Sequence, residues 1–416
     1  MAATEISQDL NSLFKEVYAD KLERLLPDAV VLQKDVMFSE ADKVGDKFIQ
    51  PVMLTEELGF THTNDESKAI ELKPAQPADY KDAAVDGSTI VLRSQVSYQQ
   101  AAKAAAGGAK SFETATARML EALRVSVAKR LEILLFYGNS FQGLAQTGAV
   151  NITSTSADTN VVIPQAQWAD GIWAGSEGMQ IEVYSGTTTR ARRNGGVINA
   201  VNLNTRTLSI RFGATTNLQA GDDIVFNETE GNMFSGLHRL LTSTADTIFG
   251  IKQTDYALWR GNTYGVGGKL TVAKVLAAAA VAVGRGLSSD VNLYVNHRAY
   301  ESLNGAINDA NRRLDSSYSM VKQNMGSKSI CINYQGGVIT VKPSIYIKTG
   351  EGYLLPPKVC KRIGAQDVSF RTPGFDKDQI FHKMQENLGF TVRCFTHQAI
   401  FVEYPAHCVV LTGITL

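Results

Sequence analysis

Residues 111–138 read SFETATARMLEALRVSVAKRLEILLFYG, and the rest of the chain is organised around them. Ala115, Met119, Leu123, Val127, Leu131 and Leu135 recur at intervals of four, which puts them on one helical stripe. Arg118, Glu121 and Arg124, then Lys129 and Glu132, stand three apart on the flanks, the spacing at which opposite charges support an exposed helix face. Ser111 is placed to cap the start and Gly138 to take the left-handed turn past the end. No Pro or Gly lies between them. At about 1.5 Å per residue the helix is expected to run on the order of 39 Å. Its surroundings are not those of a helical bundle: a β-patterned excursion lies upstream, and downstream nearly everything reads as strand and turn.

A chain of 416 residues is long enough to bury a large core, in two or three structural units. Lys+Arg and Asp+Glu balance at 41 each, so global charge recommends neither nucleic acid nor an acidic membrane as a ligand. The first residues, MAATEISQDLNSLF, lack a basic stretch followed by an apolar core, so no secretory signal is expected. The longest apolar run, Val275 to Val283, is Ala-rich and too short to span a bilayer. Cys331, Cys360, Cys394 and Cys408 all fall in the last third without paired spacing, as suits free thiols in a reducing compartment. The expectation is a soluble globular protein made in the cytosol.

In chain order, Ile6 to Leu26 is amphipathic at helical spacing and Pro27 stops it. Asp28 to Val44 has no period and reads as an extended arm. From Gly45 to Gln100, KFIQPVML, ESKAIELK and STIVLRSQVSY read as strands of a thin hairpin, with Pro51, Pro74 and Pro77 at positions an edge tolerates. Such a hairpin has little core of its own and is expected to pack on something outside the chain. AAKAAAGGAK leads into the long helix, with Gly107 and Gly108 as a hinge. Asn151 to Asn232 is rich in Thr, Ser, Asn and Gly, with short strands MQIEVYS, GGVINAVN, RTLSIRFG and DDIVFN. It reads as an inserted barrel or sandwich that folds alone. The body resumes at Phe234. Thr271 caps a second helix, Val272 to Arg285, ended by Gly286. NLYV is a strand, HRAYESL a short helix, SICINYQGGVITVK and IYIKTGEGYLL are hairpins, and GFTVRCFT, QAIFVEY and HCVVLTGI close the chain as strands.

Chemistry-bearing groupings are few. Cys394, His397, His407 and Cys408 form one Cys/His grouping, but adjacent His407 and Cys408 on a strand face opposite ways, and no second spaced pair completes a zinc set. In GVGGKLT, Thr263 stands where a phosphate loop needs its first glycine and Leu270 follows the lysine, so the glycines read as a loop before the Thr271 cap. No nucleophile elbow or HExxH motif occurs. Arg190, Arg192 and Arg193, and Arg312 and Arg313, read as solvated loop charges or intersubunit pairs rather than DNA contacts. No catalytic, cofactor-binding or metal-binding residue is assigned.

This order of parts resembles the major capsid proteins of tailed bacteriophages, whose Hong Kong 97-type fold consists of N-arm, E-loop, spine helix, peripheral domain and axial domain. The resemblance rests on order and length rather than on a diagnostic motif. It rests also on YGNSFQGLAQTGAV leaving the helix, FSGLHRLL and IFGIKQTDYALWRG with Trp259 re-entering the body, and VRCFTHQAIFVEYPAHCVVLTGI at the end. It implies an α+β fold: residues 1–44 as helix and arm, 45–100 as E-loop, 101–150 as spine helix (Ser111 to Tyr137) with part of the peripheral domain, 151–232 as an inserted small β-barrel-like module, and 233–416 as the remainder. It further implies a non-enzymatic protein that self-assembles through hexamers and pentamers into an icosahedral shell around double-stranded DNA. A portal protein would sit at one vertex, with scaffolding or decoration proteins as further partners, no membrane, and assembly in the bacterial host cytoplasm. A neutral wall suits DNA that has to move in and out. The start at Met1 with such an arm leads us to expect no cleaved leading segment, and no cross-linking residues are placed. Rival readings are an encapsulin-like nanocompartment shell and, from another class, an adhesive or carbohydrate-binding β protein.

Overall fold

A computed structural model describes residues 30–38, 47–64, 69–97, 99, 109–185, 190–244, 246–314, 330–370, 380–383 and 389–415. The expected helix over Ile6–Leu26 and the hinge at Gly107 and Gly108 lie outside the described residues, and of the arm only 30–38 lies within them. That piece holds one helical turn, α1 (Leu32–Asp35). A hairpin follows, β1 (Phe48–Met53) against β2 (Tyr80–Val85), antiparallel with Phe48 opposite Val85 and Met53 opposite Tyr80. Within the expected strand ESKAIELK, residues 69–73 join no sheet. The third expected strand, β3 (Ser88–Ser97), does not join the hairpin.

The long helix α2 is Ala109–Tyr137, 29 residues, or about 43 Å at 1.5 Å per residue. It starts ahead of Ser111, so Ser111 is an interior helical residue and not its cap. Leu123, Val127, Leu131 and Leu135 are buried, as their spacing predicts. The end of the helix departs from the expected pattern, because Leu131 to Tyr137 are buried on every side, as in a helix driven into a core. Glu132, read as a flank charge, is fully buried. Lys129 is half-buried and donates from Nζ to the Ala174 carbonyl at 2.6 Å. Gly138 is not the left-handed residue either; Asn139, at φ 45°, takes that turn. Gly138 is needed for close approach, since a Cβ there would lie 2.6 Å from the carbonyl oxygens of Leu134 and Phe234.

The segment expected as an insertion forms one antiparallel sheet: β4 (Ala145–Gln146), β5 (Thr159–Val162), β6 (Gln180–Ser185), β7 (Ala191–Asn202), β8 (Thr207–Phe212) and β9 (Asp223–Phe226), with a short helix α3 (Asp170–Trp173) between β5 and β6. The order β4-β9-β6-β7-β8-β5 leaves β4 and β5 as edges, so the sheet is open rather than a closed barrel. Its inner residues Ile181, Val183, Ile198, Ile210, Phe212 and Ile224 belong to the same hydrophobic cluster as Leu131, Leu135 and Phe136 of α2. The module therefore lacks the private core expected of it.

Next come α4 (Leu237–Thr242), the short pair β10 (Thr247–Ile248) and β11 (Ile251–Lys252), β12 (Asn262–Gly268), α5 (Val272–Val283), β13 (Val291–Val295) and α6 (His297–Leu314). Thr271 occupies the N-cap position of α5 but makes no side-chain cap hydrogen bond. The helix stops at Val283 and Gly286 takes φ 102°, the left-handed exit that glycine permits. The helix expected to be short, HRAYESL, runs on through Gly305 because Leu303, Ala306, Ile307, Ala310 and Leu314 keep helical spacing, and one glycine costs only about 1 kcal/mol.

The remaining strands are β14 (Ile330–Tyr334), β15 (Gly337–Pro343), β16 (Gly352–Leu355), β17 (Cys360–Ser369), β18 (Phe381–Lys383), β19 (Gly389–Val402) and β20 (Val409–Ile414). A mixed sheet of order β12-β20-β16-β13-β15-β14 carries α5 and α6, packed through Val275, Ala278, Ala279, Ala282, Ala299 and Leu303. The alanines allow that close approach. In IYIKTGEGYLL only β16 is a strand; Tyr346 to Leu355 are buried without a break. In the other sheet β19 runs centrally, with β17 and β18 antiparallel to it, and β3 joins it over ten residue pairs from Ser97 opposite Gly389 to Ser88 opposite Gln398. β3 thus belongs with the terminal strands. The inner face of this sheet, Leu92, Val392 and Cys394, rests on Leu123 and Val127 of α2.

Candidate functional site

The hairpin is anchored at its base and bare at its tip. At the base Phe48 meets Phe401 edge-on with ring centroids 5.4 Å apart, Gln50 Nε2 donates to Glu403 Oε1 at 2.8 Å, and Ala83 and Val85 are buried. Halfway along, Tyr256 donates its hydroxyl to Asp79 at 3.2 Å, and Lys81 lies 4.9 Å over the same ring. Among the described residues beyond Leu54, the two limbs meet only at the Leu58–Gln76 bridge and at single bonds such as Lys73 N to Thr61 Oγ1 at 3.0 Å. Gly59, at φ 116°, lets the limbs close, since a Cβ there would lie 2.9 Å from the Pro74 carbonyl. Leu58, Phe60, Ile70 and Leu72 are exposed, Leu72 to 79% and Phe60 to 66%. Burying one such side chain is worth roughly 1.5–3 kcal/mol, so this tip is unfinished in the single chain. The hairpin was expected to pack outside the chain, but its base packs on the chain's own body.

Behind the surface, the buried end of α2 meets a polar knot that no motif announced. Tyr137 donates its hydroxyl to Glu351 Oε2 at 3.2 Å and accepts from the Lys348 backbone N–H at 2.9 Å; Tyr353 donates to the same carboxylate oxygen at 2.8 Å. Lys348 is fully buried, 4.6 Å over the Tyr137 ring, with Nζ 3.4 Å from the Gln142 carbonyl. His238 on α4 shares a hydrogen of its Nδ1 or the Ser140 hydroxyl at 2.7 Å and places Nε2 3.7 Å from Glu351. Burial pushes His238 down to about 4, so its ring is neutral near neutral pH and the 3.7 Å contact is not an ion pair there. Burial alone would raise the Glu351 carboxyl, but Lys348 beside it and the hydroxyls of Tyr353 and Tyr137 hold it below its ordinary range. Burial lowers the Lys348 ammonium against the pull of Glu351 and Asp223. Asp223, on β9, is raised to about 6 by burial despite Arg190 at 2.8 Å. The knot therefore ties α2, α4, the module and the body sheet at one point, as a structural joint.

The sequence-stretch candidates disperse. Arg190 pairs with Asp223 and with Glu230 at 2.9 Å, Arg192 with Glu182 at 3.0 Å and Arg193 with Asp222 at 2.8 Å. Arg190 and Arg193 are thus drawn into ion pairs within the chain rather than left solvated or intersubunit as expected, whereas Arg192 is paired and still exposed to solvent. A cleft of about 730 Å³ in the module is lined by Arg192, Arg193 and Arg211, and Arg211 too is paired, with Asp158 at 3.0 Å. Arg312 and Arg313 lie on α6, with side chains outside the described residues. Cys394 sits in the core against α2, whereas His397, at the opposite parity on β19, accepts from Ala365 N at 3.2 Å. His407 stacks on Tyr404 with centroids 5.3 Å apart, and Cys408 is buried. Among the described residues no group of three or more His, Cys, Asp or Glu could hold a metal ion, and no helix is long and apolar enough to cross a membrane. The glycines of GVGGKLT form the bulged end of β12, with Gly267 at φ 55° and Gly268 at φ 139°.

No family model matches the chain, and no curated protein matches it. By structure it is similar to the capsid asymmetric unit of cyanophage A-1(L), at a TM-score of 0.57 and 9% identity, with 97% of this chain and 98% of that chain covered. It is also similar to the capsid of the Myoviridae phage XM1, at 0.49 and 7%, covering 99% and 100%, and to the capsid of a native GTA particle, at 0.48 and 7%, covering 100% of both. The cyanophage likeness runs over nearly the whole length of both chains. This chain has the α+β fold of a phage capsid chain, the Hong Kong 97-like arrangement that the order of its parts implied.

Proposed function

We propose that this chain is a major capsid protein, which self-assembles through hexamers and pentamers into an icosahedral shell around the double-stranded DNA of a tailed bacteriophage. The observation that carries the reading is the fold likeness to a cyanophage capsid chain at 97% and 98% coverage. The likeness leaves only a few per cent of either chain uncovered. The exposed tip of the β1–β2 hairpin supports it physically, because apolar side chains left bare in one chain become buried in a lattice of copies. On this reading the hairpin of β1 and β2, residues 48–85, is the projecting element while β3 belongs to the body; 101–150 are the spine and part of the peripheral domain, 151–232 a brace, and 233–416 the rest of the body. Function then lies in surfaces, without a catalytic centre, cofactor or metal. The further partners are a portal protein at one vertex, scaffolding or decoration proteins, and DNA bound without sequence specificity. The protein would assemble in the host cytoplasm and reside in the virion. Negative-stain electron microscopy of the expressed full chain tests this: closed icosahedral particles are expected, and a chain that stays monomeric at high concentration overturns it.

A further inference from the structure

Arg93 on β3 stands directly opposite Arg393 on β19, and both side chains are exposed. Opposed residues of an antiparallel pair have Cβ atoms about 4.5–5.5 Å apart, and like charges there are destabilising. Among the described residues neither arginine has an ion-pair partner. Gln95, with its amide oxygen turned towards Arg93, accepts from Nε at 3.1 Å, which satisfies a donor and leaves the charge unbalanced. The same face carries Val91, exposed, opposite Phe395, half-buried. The reverse face is already spent on α2 through Leu92 and Cys394. This outer face is thus two unbalanced cations beside an apolar pair.

The matching surface is in the chain itself. Although the chain is neutral overall, residues 54–79 carry six carboxylates against two lysines, next to exposed Leu58, Phe60, Ile70 and Leu72. Glu56 and Glu57 directly precede Leu58. Successive side chains of an extended segment point to opposite sides, so one of the two carboxylates faces whichever side docks. A chain's own tip starts beyond the Met53–Tyr80 end of the ladder, five residue steps from the Phe48–Val85 end next to β3, about 17 Å away. A second copy is therefore the natural donor.

We infer that the Arg93–Arg393 pair receives a carboxylate, Glu56 or Glu57, from the hairpin tip of a second copy, while the apolar side chains of that tip cover Val91 and Phe395. The inference rests on the shell reading and names the receiving surface. The test uses the full chain, with assembled fraction read by sedimentation and electron microscopy and folding read by thermal melting. Arg93→Glu with Arg393→Glu should melt no lower than wild type, because a like-charge pair is exchanged for another at an exposed site, yet lose at least tenfold in assembled fraction. Glu56→Arg with Glu57→Arg should lose as much, and the four substitutions together should restore assembly. Shells from the doubly reversed arginine variant at the wild-type level would overturn the inference alone, as would failure of the four-fold exchange to restore them. Normal shells that retain less double-stranded DNA would make the pair a DNA contact and overturn it too. A wild-type chain that never assembles would defeat the shell reading, and this inference with it.

Discussion

Glu132 and Leu32 are a hundred residues apart in sequence and joined at 2.7 Å in the fold, the Glu132 Oε1 accepting from the Leu32 backbone N–H. The same carboxylate accepts from Val31 N at 3.0 Å and Gln33 N at 3.1 Å, so one buried side chain of the long helix satisfies the first amides of α1, the role an N-cap residue usually plays. Arg362 grips the other end, donating to the carbonyls of Gln33 and Val36 at 3.3 Å. Asp35 adds bonds from Tyr294 and Lys342, each at 2.6 Å. The arm is docked on the body by charge on three sides.

Glu132→Ala should therefore cost far more than a surface change. Each buried amide left without an acceptor costs about 1–3 kcal/mol, and Gln, which keeps an acceptor, should recover part of the loss. Chemical denaturation of the three proteins checks this; equal stability of wild type and Glu132→Ala would contradict it.

The stripe of α2 makes a second prediction. Leu131 is fully buried whereas Glu121 is exposed. Leu131→Ala should lower stability by about 2–5 kcal/mol, and Glu121→Ala by less than about 0.5 kcal/mol. Equal losses in denaturation would mean that the stripe is not what holds the helix.

His238 predicts a pH dependence. Its folded value is about 4 against an ordinary 6.5, so the unfolded chain takes up the proton first as the pH falls. The contribution is whole above pH 6.5 and is lost between there and pH 4, a span worth about 3 kcal/mol. Measured against His238→Asn, wild type should lose that amount over this range. A difference that stays flat with pH would contradict the buried, neutral ring.

Much of this architecture was legible and some was not, for a physical reason. The long helix, α5 with its glycine exit and the β14–β15 hairpin depend on neighbours within a few residues, and periodicity reports those. Glu132 looked like a surface charge because its partners lie about a hundred residues upstream. Lys348 and Glu351 looked like a hairpin turn because Tyr137 and His238, which bury them, come from other elements. β3 was assigned to the hairpin it follows, while its actual partner β19 lies some three hundred residues on. The open apolar tip was the one part of the candidate site that local pattern could suggest, since Pro-broken strands with no core look alike wherever they dock.

The module provides a fourth prediction. Because its inner face shares one core with Leu131 and Phe136, and Arg130 lies 3.4 Å over the Phe226 ring, a fragment of residues 145–232 should show no cooperative melt. Replacing it with a short Gly/Ser linker should unfold the body. A fragment that melts sharply on its own would show the module to be independent after all.

The most direct measurement is a cryo-electron microscopy reconstruction of particles formed by the full chain, compared with a chain in which residues 56–77 are replaced by a short Gly/Ser turn. The account predicts closed icosahedral shells in which each hairpin tip, with Phe60 and Leu72, lies buried on another copy, and a shortened chain that folds with an unchanged melting temperature but closes no shell. Shells whose tips fold back on their own body, or normal shells from the shortened chain, would contradict it.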